Sequence, residues 1–205
     1  TAKPKLDVVV EDTNDYLSTH VVLTVKSFFP TKSVSMTLDG EPLELEKGRH
    51  RTYTATVYKN GSIESSVVNL NGMPATVFEH VNVLDDNPPE FSSTDIKDGV
   101  VTITLSDSQS GINFDSIYAL DSAGVRVEPT SVDRASNTLS FEMDPAGLHI
   151  YARDKADNEV QGTFTSHKEG SVETLEGGAV DPEENGNAAS DTDAQAAAAT
   201  QVSFH

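Results

Sequence analysis

Apolar and polar residues alternate through most of the first 168 positions. Val21, Leu23 and Val25 fall on one face of a segment, as do Val34, Met36 and Leu38, then Val101, Ile103 and Leu105, and finally Leu148, Ile150 and Ala152. A period of two marks strands with one buried face, and no stretch carries the apolar stripe of a helix. The runs are short, rich in Val, Thr and Tyr, and separated by turn pairs such as Asp39-Gly40, Asn60-Gly61, Asn71-Gly72, Asp98-Gly99 and Ala123-Gly124. The pattern predicts strands near 5–11, 20–26, 33–38, 43–45, 51–58, 62–68 and 75–84, then near 89–96, 99–106, 115–120, 125–128, 138–143, 147–153 and 160–166.

Landmarks recur near every 86 residues: Gly61 and Gly147, Asn71 and Asp157, Phe78 and Phe164. In each half a Gly opens an alternating strand, a polar loop follows, and the last strand carries an aromatic. The expected fold class is therefore all-β, with two tandem immunoglobulin-like β-sandwich domains over 1–86 and 87–168, seven strands apiece. Residues 169–205 break the pattern, with eight acidic residues, no Lys or Arg and a single aromatic, Phe204. Such a segment buries too little to offset the entropy of ordering, so a disordered acidic C-terminal tail or linker is expected.

Charge narrows the function. The chain has 14 Lys+Arg against 33 Asp+Glu, a formal charge of −19, and residues 1–168 alone hold 25 acids and 14 bases. That balance repels phosphate, so neither nucleic acid nor anionic lipid is expected as a partner, and no run of 18 apolar residues suggests membrane insertion. Without Cys there is no disulfide scaffold or thiolate chemistry. The N-terminus, Thr1-Ala2-Lys3-Pro4, lacks the apolar core of a signal peptide, so an exported protein would be present here in mature or excised form.

Catalytic signatures are missing as well. His20, His50, His80, His149, His167 and His205 form no zinc spacing, and no nucleophile elbow or phosphate loop occurs. No enzyme is expected. Sugar binding usually rests on exposed aromatics, and with no Trp the candidates are Tyr16, Tyr53, Tyr58, Tyr118, Tyr151 and the Phe28-Phe29 pair. Exposed Tyr residues grouped on one sheet would point to an accessory module that binds a glycan or a host protein. Lys26 and Lys155, the candidates for an isopeptide bond, fall in polar phase or in a loop.

Between the halves lies Val83-Leu84-Asp85-Asp86-Asn87-Pro88-Pro89-Glu90-Phe91, whose two prolines imply a short, semi-rigid spacer. These nine residues resemble the junction between cadherin repeats, which implies calcium ligands. Asp107-Ser108-Gln109-Ser110-Gly111-Ile112, Asp121-Ser122-Ala123-Gly124 and Gly147 to Asn158 resemble the bacterial immunoglobulin-like repeats of cell-surface proteins. That resemblance covers about residues 86–166 and implies an extracellular, non-catalytic module in a larger surface or secreted protein, partnered by neighbouring domains of the same chain.

In an immunoglobulin sandwich the chain enters at the end carrying the B–C and F–G loops. Asp85, Asp86 and Asn87 of the linker, Asp107 of the B–C loop, and Asp154, Asp157 and Asn158 of the F–G loop should converge there. Hard oxygen donors at this density suit Ca²⁺, which takes six to eight of them in irregular geometry. The same residue types also cap turns through backbone amides. The expectation is a non-catalytic structural or adhesive segment, a spacer or stalk, with a calcium-binding junction as its one candidate site.

Overall fold

The computed structural model describes residues 2–165 and 174–178, and every regular element among them is a β-strand. The chain divides into two compact units, Thr1–Asp86 and Asn87–His205.

Unit 1 contains β1 (Lys5–Val10), β2 (Thr19–Lys26), β3 (Thr31–Leu38), β4 (Glu41–Pro42), β5 (Glu46–Lys47), β6 (Thr52–Val57), β7 (Gly61–Asn69) and β8 (Pro74–Val81). Antiparallel pairing gives one sheet in the order β1-β2-β6-β5 and another in the order β4-β3-β7-β8. In immunoglobulin lettering these are A-B-E-D and C′-C-F-G. The inward residues of the two sheets, among them Val21, Leu23, Met36, Ala55, Ile63 and Val67, form one core. The strand expected at 43–45 is instead two short strands flanking it. Leu43 and Leu45 pack against the core, which explains the alternation, but they lie between the paired segments.

Unit 2 repeats this plan with β9 (Glu90–Lys97), β10 (Val100–Ser106), β11 (Ile112–Asp121), β12 (Arg126–Val127), β13 (Ser131–Asp133), β14 (Thr138–Glu142), β15 (Leu148–Asp154), β16 (Glu159–Thr165) and β17 (Thr174–Gly178). Its sheets run β13-β14-β10-β9 and β12-β11-β15-β16-β17, which is D-E-B-A and C′-C-F-G with one strand added. The core is built on Val101, Ile103, Leu105, Leu139, Phe141, Leu148, Ile150 and Phe164. All three residues of β13 face solvent, so no alternation announced it. β17 lies in the segment expected as tail and pairs with the edge of β16 from Gln161↔Gly178 to Thr165↔Thr174. An open edge offers unpaired backbone groups whatever the side chains, and that is how a polar segment can form a strand there. The rest of 169–205 lies outside the described residues.

The two units share one topology, but the spacing between them on the F and G strands is 85, not 86. Asn69 and Asp154 each end an F strand fully buried, and each opens the same turn: Asn69 N donates to Met73 O and Asp154 N to Asn158 O. The left-handed turn residue is Gly72 (φ 81°) in one and Asp157 (φ 73°) in the other. A slip of one residue exchanges the faces of a strand. Phe164 is accordingly sealed in the core while Phe78, its expected counterpart, is 71% exposed.

Candidate functional site

Each unit has a pole where the B–C and F–G loops meet. In unit 2, Asp107 follows β10 and its Oδ2 accepts from the N–H groups of Gln109 at 3.1 Å and Gly111 at 2.5 Å, folding the B–C loop around the carboxylate. Lys155 N donates to Gly111 O at 2.9 Å, tying that loop to the F–G turn. Asp154 points inward in phase with Leu148, Ile150 and Ala152 and has no exposed surface. Its Oδ1 accepts from Asn158 N and its Oδ2 from Asn158 Nδ2, both at 2.9 Å.

A carboxylate oxygen of Asp107 and one of Asp154 lie within 4.8 Å of each other. The two carboxylates, one of them sealed from water, thus put several hard oxygen donors in one small volume. Beside them is an open depression lined by Asn87, Pro88, Glu90, Ser106, Asp107 and Ser108. Asn87 donates from Nδ2 to Gln109 Oε1 at 3.1 Å.

Asp157, Asp85 and Asp86 also have partners within their own units. Asp157 is 76% exposed at its side chain and pairs with Arg153 at 3.1 Å, and Arg153 also holds Glu159 at 3.1 Å. These partners, Asp157 first, push the guanidinium pKa up from its ordinary value. Asp85 and Asp86 close unit 1: Asp85 N donates to Tyr16 O, and Asp86 Oδ2 accepts from Asn60 Nδ2 at 2.9 Å. Lys26 and Lys155 are exposed.

The corresponding pole of unit 1 is chemically different. Ser27 stands at the place of Asp107, its Oγ accepting from Phe29 N at 3.2 Å, and neutral Asn69 replaces Asp154. The segments 2–5, 26–32, 47–51 and 69–73 that form this pole hold Lys3, Lys5, Lys26, Lys32, Lys47, Arg49 and Arg51 and no acid. At the opposite pole, segments 11–18, 39–41, 58–60 and 82–86 hold Glu11, Asp12, Asp15, Asp39, Glu41, Asp85 and Asp86 against Lys59. Sequence reasoning averaged this separation into a net charge. Sorting the loops by pole would have found it.

Two aromatic features bear on ligand binding. On the outer face of the second sheet of unit 2, Tyr118 and Tyr151 stack at 4.9 Å with a 14° interplanar angle, Arg126 caps the Tyr118 ring at 4.4 Å, and His149 meets Tyr151 at 4.6 Å. The grouped Tyr residues that sequence reasoning looked for are therefore present, but their ring faces are occupied by one another. Burial, then Tyr118 and Glu159, push the Tyr151 hydroxyl pKa up. In unit 1, Phe28 is 89% exposed at the tip of the B–C loop, and among the described residues its one aromatic neighbour is Phe29, edge-on at 5.5 Å.

The strand orders define both units as immunoglobulin-like β-sandwiches, a class whose functions reside in loops and sheet faces. No family model matches the chain, and no curated protein does. Among solved structures it is similar to the fibronectin(III)-like modules of CbhA from Clostridium thermocellum, at 14% identity and a TM-score of 0.31, covering 76% of this chain and 88% of that one. It is also similar to the Ig1–Ig3 ectodomain of mouse nectin-like molecule 4, at 13% identity and a TM-score of 0.28, covering 82% and 65%. The fold assignment rests on the strand pairing itself. Among the described residues no helix is long and apolar enough to cross a membrane.

Proposed function

We propose that the chain is a non-catalytic structural segment of a larger exported protein, a tandem of sandwich spacers whose second unit takes up calcium at its B–C and F–G pole. The carrying observation is the sealed Asp154 carboxylate within 4.8 Å of Asp107. A divalent cation would neutralise that pair, and Ca²⁺ accepts the mixture of carboxylate and neutral oxygens that such loops provide. Asp107 and Asp154 would be the anionic ligands. The duplicated strand order supports the spacer reading, because tandem copies of one sandwich lengthen a chain without requiring a pocket.

The test is thermal unfolding of the full chain in excess Ca²⁺ and in chelator, repeated for Asp107→Asn with Asp154→Asn. A ligand that binds only the folded state raises the melting temperature by mass action. The expected result is a calcium-dependent rise that the double substitution abolishes. Coincident curves in the native chain would refute calcium uptake and leave these carboxylates as turn caps.

A further inference from the structure

We propose that the basic pole of unit 1 is a binding surface for a linear acidic polysaccharide, with a sugar face stacked on Phe28 and acid groups lying among Lys3, Lys5, Lys26, Lys32 and Arg49.

Seven of the unit's eight Lys and Arg residues gather at this pole in a chain of net charge −19. Among the described residues none of the seven is in an ion pair, whereas Lys59 at the other pole faces Asp39 at 3.8 Å. Lys5 and Lys26 are direct cross-strand partners, an arrangement of like charges that weakens a sheet. The local field governs a ligand here, because at physiological salt charges act over only about 8 Å.

The apolar centre of the pole is held in place. Arg51 Nη1 donates to Ser27 O at 2.7 Å and to Phe29 O at 3.2 Å, bracing the loop on both sides of Phe28. His50 and Arg51 lie in the turn between β5 and β6 with left-handed backbone conformations, φ 54° and 58°, which residues other than Gly disfavour. Leu70 N donates to Pro30 O at 2.9 Å, joining the F–G loop to the B–C loop, and Leu70 is itself 61% exposed. Phe28 is thus a braced, outward ring at the pole whose segments carry seven cations, while the stacked Tyr118 and Tyr151 rings of unit 2 cover each other.

The occupant must be anionic and must present a face to an aromatic ring. Duplex DNA carries a charge every ~1.7 Å of its axis. A bilayer presents an unbroken anionic plane. Both would press dense negative charge against the many carboxylates elsewhere on the chain. A polysaccharide with an acid group every sugar or two matches separated lysines, lies across a convex loop tip without a cleft, and offers C–H faces to Phe28.

The experiment is titration of the full chain with polygalacturonate, in chelator so that calcium uptake by unit 2 plays no part, at low and at physiological salt. Saturable binding that weakens with salt is expected, with no binding of neutral dextran. Phe28→Ala should weaken binding by about tenfold or more, the range expected for one lost stacking contact. Lys26→Glu with Lys32→Glu should weaken it at least as much and flatten the salt dependence, and Lys59→Glu should leave it unchanged. All these side chains are exposed, so every variant should stay folded, with Lys26→Glu slightly more stable than the native chain because it turns the Lys5 pair into one of opposite charge. The proposal is overturned if polygalacturonate does not bind, if Lys59→Glu weakens binding as much as the pole pair, or if a single-stranded oligothymidylate binds more tightly than the glycan.

Discussion

The end of unit 1 is fastened by one side chain. Asn60 Nδ2 donates to Leu84 O at 2.9 Å, and Leu84 N donates to Asn60 Oδ1 at 3.0 Å, so the amide pairs with the Leu84 backbone as a strand neighbour would. Leu84 is only 3% exposed, and the second Nδ2 proton goes to Asp86. Asn60→Ala removes these bonds and leaves a buried N–H and C=O without partners. A neutral bond contributes about 1 kcal/mol and an orphaned buried group costs about 1–3, so the loss should be about 2–3 kcal/mol. For a unit of this size each kcal/mol lowers the midpoint by about 4–8 °C, which puts the shift in the range of about 10–20 °C. Asp86→Ala removes only an exposed bond and should cost under about 1 kcal/mol. Calorimetry of the full chain reads the shift, and amide exchange at Leu84 by NMR locates it. If the Leu84 amide stays protected in Asn60→Ala, and the midpoint moves no further than in Asp86→Ala, the fastening role is refuted.

Further outcomes follow from the same geometry. Phe164 is fully buried against Phe91, so Phe164→Ala should cost about 3–5 kcal/mol in a denaturant titration. Phe78→Ala should cost under about 0.5 kcal/mol, as surface substitutions do, and equal losses would refute the register assigned to the G strands. His50→Gly relieves a left-handed backbone and should raise stability by about 0.5 kcal/mol after the greater freedom of Gly in the unfolded chain is counted; a loss would mean the imidazole makes a stabilising contact. Asp144 is held below its ordinary pKa of 3.8, first by the Ser122 hydroxyl and then by the amides of Ala146 and Ser122. Its contribution is therefore present above about pH 4 and is lost as pH falls through the lower folded value. Asp144→Asn should flatten the stability profile across that acid window, and an unchanged profile would show that this carboxylate is not linked to folding.

What could be read from the chain follows from where burial acts. The paired strands announced themselves because inward positions are apolar and most outward ones polar, as with Val101, Ile103 and Leu105 against Thr102, Thr104 and Ser106. Asp154 was expected as a loop residue, whereas it is the last residue of β15 and continues the buried phase of Leu148, Ile150 and Ala152. β13 was not legible, with three exposed residues, and neither was β17, which depends on an open edge and not on its own pattern. Asp157 was grouped with Asp154 by proximity in sequence, yet its left-handed backbone accompanies an outward side chain that pairs with Arg153. Asn60 read only as half of a turn pair, because the partner of its side chain is the backbone of a residue 24 positions away.

The sorting of charge in unit 1 is not something folding required. Its strands are fixed by inward residues such as Val21, Leu23, Ile63 and Val67, which would form the same sheets whatever the loops carried. Random placement would mix Lys and Arg with a larger number of acids, and mixing would be favoured, since opposite neighbours attract and Lys5 opposite Lys26 repel. In unit 2 the same topological position holds Asp107 and Asp154, where unit 1 has Ser27 and Asn69. One scaffold thus presents a cationic pole in its first copy and an acidic one in its second. Where the core leaves the loops free to vary and the electrostatics oppose what is observed, the loop charges report use, not stability. On that ground the two poles, not the sheets, are where the function of this chain is to be sought.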